Sequence, residues 1–246
     1  MNALKEIIKF DDLYECTVIS RVNRFTVIVE VRGSEVAAYI NNTGRLHEYV
    51  VKGKVGYCIE TPRGGLKYRI IGVKDGNHEG YAALLDTAYQ EKAFAVLQER
   101  GMIPWLLSCV LYRRNYRLDR EIIDFAYSCH EDLVLVELKS AVMKLEEGVA
   151  GYPDAPTVRG RRQIQALAEY AKTGKRAFIT FIAGVPGARK VKLHCYADRK
   201  ICVAAEHAAR SGVLFKAINL YVDPAIKGVV SAGVDIPVEL GCDVTT

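Results

Sequence analysis

Residues 122–140 read IIDFAYSCHEDLVLVELKS, and this stretch decides the fold. Two apolar runs flank a polar turn, the pattern of a buried β-hairpin. Yet Asp124, Glu137 and Lys139 interrupt the runs where Val or Ile belongs. The turn centres between His130 and Glu131, so residue 124 faces residue 137 across the two strands. Side chains alternate along a strand, which puts Lys139 on the face of Glu137. A slip of one residue in register would undo the pairing.

Two opposed carboxylates roughly 5 Å apart repel each other. In a dry site one takes up a proton unless a cation sits between them. A hard divalent ion, Mg²⁺ or Mn²⁺, answers this need, because such ions bind through one or two carboxylates and keep waters for a phosphate to displace. A lysine beside the ion steadies phosphate charge and holds the attacking water. Asp124 and Glu137 are therefore the expected metal ligands. With Lys139 they form the expected catalytic set for metal-assisted phosphodiester hydrolysis. An E-x-K triplet also arises by chance on solvated strand edges. Here the neighbours LVLV and IIDFA point to a central strand, where a buried Glu or Lys needs a partner. A structural ion pair between Glu137 and Lys139 would leave Asp124 unexplained.

Outward from the hairpin, the chain of 246 residues is half apolar and 26% charged, the profile of a folded globular protein. No apolar run is long enough for a transmembrane span, and the start MNALKEIIKFDD has no signal-peptide core. Residues 1–80 read as short strands punctuated by Gly, Asn and Asp, which fits a small closed OB-type barrel; an SH3-like barrel would pattern the same way. KDGNHEG at 74–80 is the expected boundary. Residues 81–246 mix helices and strands around buried runs, an α/β domain with a mixed sheet. Helices are expected over YAALLDTAYQEKAFAVLQERGM, ending on Gly101, over TVRGRRQIQALAEYAKTGK, capped by Thr157 and stopped by Gly174, and over RKICVAAEHAARSG.

Seven Cys without a C-x-x-C pair fit reduced thiols in a cytoplasm, and the spacing suits no zinc site. A net charge of +5 permits a nucleic-acid partner. Three basic segments are candidates for one. Arg21, Arg24, Arg32 and Arg45 lie on the barrel. Arg113, Arg114, Arg117 and Arg120 alternate with Tyr112 and Tyr116. Arg159, Arg161 and Arg162 open the second helix, where the positive helix end attracts phosphate. Arg161 and Arg162 fit a solvated helical face equally well, and 111–120 reads alternatively as a surface strand and turn with Tyr112 and Tyr116 packed inward.

Four motifs, NNTGRL, IIDFAY, VELKSA and GYPDAPTVRG, stand in the order and spacing of the sugar fermentation stimulation protein family. The chain resembles that family over nearly its whole length. The resemblance implies an OB domain joined to a restriction-endonuclease-like PD-(D/E)xK domain, and DNA as partner, either single- or double-stranded. It aligns Asp124 with R-I-D-F, Glu137 and Lys139 with E-V-K-S, and Asp154 and Arg159 with F-P-D-A and R-G, which makes those two a further site. It departs from the family at Val158, where Glu is usual, and at Gln163, where His is usual. Arg120 and Glu121 replace the compact S-R before I-D. The expected function is a Mg-dependent nuclease or phosphodiesterase. The alternative is a DNA-binding regulatory protein without turnover that affects sugar metabolism. Paired carboxylates also serve glycoside hydrolysis, but Lys139 beside one acid and a single Trp argue against it.

Overall fold

The computed structural model describes residues 5–63, 65–76, 78 and 80–241. The barrel is built from β2 (Tyr14–Asn23), β3 (Thr26–Val31), β4 (Ser34–Tyr39), β5 (Val55–Arg63) and β6 (Leu66–Lys74). They run β4-β3-β2-β5-β6, and a parallel pairing of β4 with β6 at Ala38↔Tyr68 and Tyr39↔Arg69 closes the cylinder. Alternation drives the closure: Val18, Val27, Val29, Ile40 and Ile70 are fully buried inside, while polar partners on the same strands face out. This is an OB domain, as expected.

The second part is a mixed α/β domain. Its central strands are β10 (Asp132–Ala141), β13 (Ala177–Ala183) and β15 (Leu214–Asp223), paired in parallel in the order β15-β13-β10. β13 is AFITFIA with every residue buried, the continuous apolar run that a parallel strand covered on both faces requires. β9 (Glu121–Cys129) and β8 (Cys109–Leu118) extend the sheet antiparallel to one edge. A smaller sheet comprises β11 (Met143–Glu146), β12 (Val149–Tyr152), β14 (Lys190–Leu193) and β17 (Val238–Glu239).

Helix α1 (Thr87–Glu99) starts at Asp86, whose carboxylate accepts from the Tyr89 N–H, and ends before Gly101, whose φ is 64°. Helix α2 (Val158–Lys172) is capped by Thr157, which accepts from the Gly160 N–H, and is stopped by Gly174 at φ 83°. Helix α3 is Arg199–Arg210. The second and third helices match the sequence expectation; the first starts later than expected, because the opening of YAALLDTAYQEKAFAVLQERGM forms a strand over Ala82–Leu84. The last strand does not: VDIPVEL supplies only the two residues of β17.

Three features differ from the sequence reading. β1 (Lys5–Lys9) was invisible, and it pairs with β16 (Gly228–Val234) rather than with the barrel. Beyond the expected boundary at 74–80 the sequence suggested no strand. There the chain turns back as β7 (Ala82–Leu84), which pairs with β6 on one side and β15 on the other, so one ladder runs through both parts. Finally, the thiols are not all reduced. Cys109 is bonded to Cys129 and Cys195 to Cys202, while Cys16 and Cys58 are free and buried. Cys109 and Cys129 lie directly opposite in the β8–β9 register. Their separation of 20 residues gives no motif from which the bond could be read. The cysteine argument for a reducing compartment therefore falls. Among the described residues, no helix is long and apolar enough to cross a membrane.

Candidate active site

The β9–β10 register is the one read from the turn: Asp132↔Cys129, Leu133↔Ser128, Val134↔Tyr127, Leu135↔Ala126 and Val136↔Phe125. The next pair is Asp124 and Glu137, and there the backbone ladder stops. The two carboxylates replace it. Glu137 Oε2 accepts from the Asp124 N–H at 3.2 Å, and Asp124 Oδ2 accepts from the Leu138 N–H at 2.7 Å. Each acid thus holds the other's strand at the point where the strands part, and satisfies N–H groups that burial would otherwise orphan.

Odd positions of β10 face α2: Leu135 and Ala141 pack with Ile164, Leu167 and Ala168, whereas Val134 and Val136 pack with Phe94 of α1. Glu137 and Lys139 share the α2 face. The Lys139 ammonium donates to Glu137 Oε1 and to Gln163 Oε1, both at 2.7 Å. Gln163 in turn donates to the Ile122 carbonyl at 2.9 Å. Sequence reasoning treated Gln163 only as a departure from a family motif. Its signal was present: Gln163 is a polar side chain within the buried stripe Gly160, Ile164, Leu167, Ala168 and Ala171 of α2.

A cleft of about 180 Å³ opens over these groups, lined by Thr87, Gln90 and Glu91 of α1, Asp124, Glu137, Leu138, Ser140, and Arg159 and Gln163 of α2. The first turns of both helices border it, with their N–H groups taken by Asn41 and Asp86 at α1 and by Thr157 at α2. Glu91 is a third acid that the sequence did not single out; it pairs with Arg114 at 3.0 Å.

Burial sets the charge states. It pushes the Glu137 carboxyl up to about 7, against the attraction of Lys139 and with help from Asp124. Burial likewise raises Asp124, opposed by Lys139, the Leu138 N–H and Arg159. Glu91 is raised by burial and by Asp124. For Lys139, burial acts downward but is outweighed by Glu137, Tyr152 and Asp124, and the net direction is up. Lys139 is therefore an ammonium, a donor of charge rather than a base. Unfavourable anions beside a fixed cation and an open cleft are the signature of a site waiting for more positive charge.

The donor set fits a hard divalent ion. Both candidate ligands are carboxylates. One Asp124 oxygen is engaged by a backbone N–H, which leaves lone pairs toward the cleft. Among the described residues no group of three or more His, Cys, Asp or Glu is arranged to enclose a metal.

The other expected residues divide. Arg159 lines the cleft and is exposed. Arg161 is tied to Asp198 at 2.6 Å and Arg162 to Glu121 at 2.8 Å. Arg114 is held by Glu91, while Arg113, Arg24 and Arg45 are exposed. Arg21 donates to the carbonyls of Arg24, Asn42, Gly44 and Arg45, which makes it a staple of the barrel loop. Asp154 does not line the cleft. It accepts from the Leu46 N–H at 3.2 Å and lies against Gly44, where any Cβ would collide with its carboxylate. The N-T-G and P-D-A motifs are thus two halves of one contact between barrel and α/β domain. Asn41 accepts from the Thr87 N–H, and Asn42 donates to the Leu85 carbonyl and to Ser140 Oγ. The NNTGRL loop is a bracket on the cleft rim.

Comparison with known proteins agrees with this architecture. Residues 19–82 match the model of the SfsA N-terminal OB domain, and residues 88–226 match that of the sugar fermentation stimulation protein RE domain. The chain belongs to the sugar fermentation stimulation protein family. It is 35% identical to a Pyrococcus furiosus homologue over 89% of this chain and 93% of that one. It is 43% identical to an Archaeoglobus fulgidus homologue over 75% of this chain and 78% of that one. A solved structure, that of Pyrococcus furiosus SfsA in complex with Ca²⁺, superposes with a TM-score of 0.90 at 34% identity, covering 96% of this chain and 99% of the other.

Proposed function

We propose that this family member is a divalent-metal-dependent nuclease acting on DNA, with Asp124, Glu137 and Lys139 as its catalytic set. The observation that carries this reading is the pair of carboxylates that replaces the backbone ladder at the floor of the cleft, with the Lys139 ammonium 2.7 Å from one of them. A stability role alone does not explain it, because burying two acids and an amine costs more than apolar residues of the same size. That a relative was solved in complex with Ca²⁺ supports a divalent cation as a ligand of this family. Mg²⁺ or Mn²⁺ would be held by Asp124 and Glu137, and when bound would supply positive charge to a phosphate and acidify water.

The chain's own residues do the rest. Arg159, exposed on the cleft wall, binds the phosphodiester oxygens. Lys139, fixed by Gln163, places an ammonium where charge develops on the phosphate. Leu138 and the walls of the cleft exclude bulk water and strengthen these interactions. The exposed Arg24, Arg45 and Arg113 supply salt-sensitive backbone contacts.

The test is cleavage of labelled single-stranded, duplex and branched DNA with Mg²⁺, Mn²⁺ or chelator. Cleavage should require the metal and vanish in Asp124→Ala and Lys139→Ala. Intact DNA in every combination, with salt-sensitive binding that ignores Asp124, would establish the binding-only alternative instead.

A further inference from the structure

The tip of the β2–β3 hairpin carries an apolar aromatic ring in water. Phe25 is 48% exposed, next to Val22 at 59%. Its ring lies nearly parallel to Tyr39, with centroids 6.5 Å apart and planes 11° apart. Tyr39 backs one side of Phe25, and the exposed part of the ring faces solvent. The pair is anchored. The Phe25 carbonyl accepts from the Ile40 N–H, and Arg21 ties the Arg24 carbonyl to those of Asn42, Gly44 and Arg45. Below Tyr39, the Arg69 guanidinium sits 5.5 Å from that ring and 5.5 Å from the Tyr89 ring of α1. From Tyr39 the chain needs two residues to reach Asn41, which holds the first N–H of α1 at the cleft rim. Two residues span about 7 Å. An exposed stacking surface, flanked by the exposed Arg24 and Arg45, therefore stands two residues along the chain from the residue that holds α1 at the cleft rim.

A base inside a duplex has both faces covered by its neighbours, so an aromatic platform can engage only an unstacked base. We propose that Phe25 on Tyr39 is a base-stacking platform that delivers a single DNA strand to the cleft, so that the substrate is single-stranded DNA or the unpaired arm of a junction. This rests on the reading of the chain as DNA-acting and names the substrate structure. Arg24 and Arg45 track the strand's phosphates beside the stacked base. Arg21 keeps hairpin tip and cleft rim in one rigid piece, so the stacked base is held in register with the scissile phosphate.

The experiment is fluorescence anisotropy with a labelled single strand, a duplex of two fully annealed strands of the same length and an RNA strand, all in chelator so that binding is read without turnover. The single strand should bind at least about tenfold more tightly than the duplex. Phe25→Ala should weaken single-strand binding about five- to a hundredfold, the effect of removing one stacking ring, and duplex binding less than twofold. Phe25→Trp should retain affinity, and its indole should be quenched by the single strand and not by the duplex. Equal or tighter duplex binding, a Phe25→Ala effect under twofold, an unquenched indole, or preference for RNA would each overturn the proposal. If Phe25 behaves as expected while no metal ever yields cleavage, the nuclease reading fails and the platform stands.

Discussion

Glu137 gives the most demanding test, because the structure sets both the sign and the size of its effect. Burial moves its carboxyl from an ordinary 4.5 to about 7. At about 1.4 kcal/mol per tenfold change in proton affinity, that is about 3 kcal/mol. In the unfolded chain the carboxyl loses its proton near 4.5. In the folded protein it keeps the proton until about 7. Between those values the folded state holds the extra proton, so stability falls as pH rises through the window and levels off above it. Gln at this position cannot ionise. Thermal melts of the native protein and Glu137→Gln in chelator, from about pH 5 to about pH 8, should show the gap between the two melting temperatures moving by about 6–12 °C, taking about 2–4 °C per kcal/mol for a chain of this size. At the upper pH, millimolar Mg²⁺ should restore the native protein and leave the variant unchanged, because a cation on the carboxylates removes the penalty for ionising them. A gap that stays within about 2 °C across the range would refute the argument that burial, uncompensated by Lys139, dominates this site.

Gln163→Leu removes one of the two acceptors of the Lys139 ammonium, leaving Glu137. It should cost about 1–3 kcal/mol in denaturant unfolding and lower metal-dependent cleavage, with Gln163→Glu restoring an acceptor. Asn42→Ala strips the bonds to Leu85, Ser140 and Gly44. It should speed hydrogen exchange at residues 40–46 and 85–88, with the barrel strands staying protected. Replacing Cys109 and Cys129 with Ser opens a loop of 20 residues and should cost about 3 kcal/mol, read as a lower melting temperature under non-reducing conditions.

The hairpin was legible because three local rules coincide there. The turn sets the register, strand alternation sets the faces, and the cost of burying charge makes Asp124, Glu137 and Lys139 conspicuous among Val and Leu. The observed pairs from Asp132↔Cys129 to Val136↔Phe125 follow from those rules. The caps of α1 and α2 were equally local, since Thr157, Gly101 and Gly174 act within a turn of their own positions. Asp154 shows the limit. Its place in a conspicuous motif said nothing of its partner, Leu46 of the barrel, 108 residues away. Arg21 looked like a hand for phosphate and is spent on carbonyls of its own domain.

What the sequence determined by itself is everything that depends on near neighbours along one strand or one helix. That includes the barrel's alternating strands, the helical stripes, and two acids and an amine on adjoining strands. What only the tertiary structure decided is which distant groups meet them: Gln163 on Lys139, Glu91 and Arg159 on the cleft, the NNTGRL loop on Asp154, and β1 on β16. Those contacts are selected by packing and by the need to satisfy buried polar atoms at the scale of the whole chain, and periodicity carries no record of partners so far apart in number.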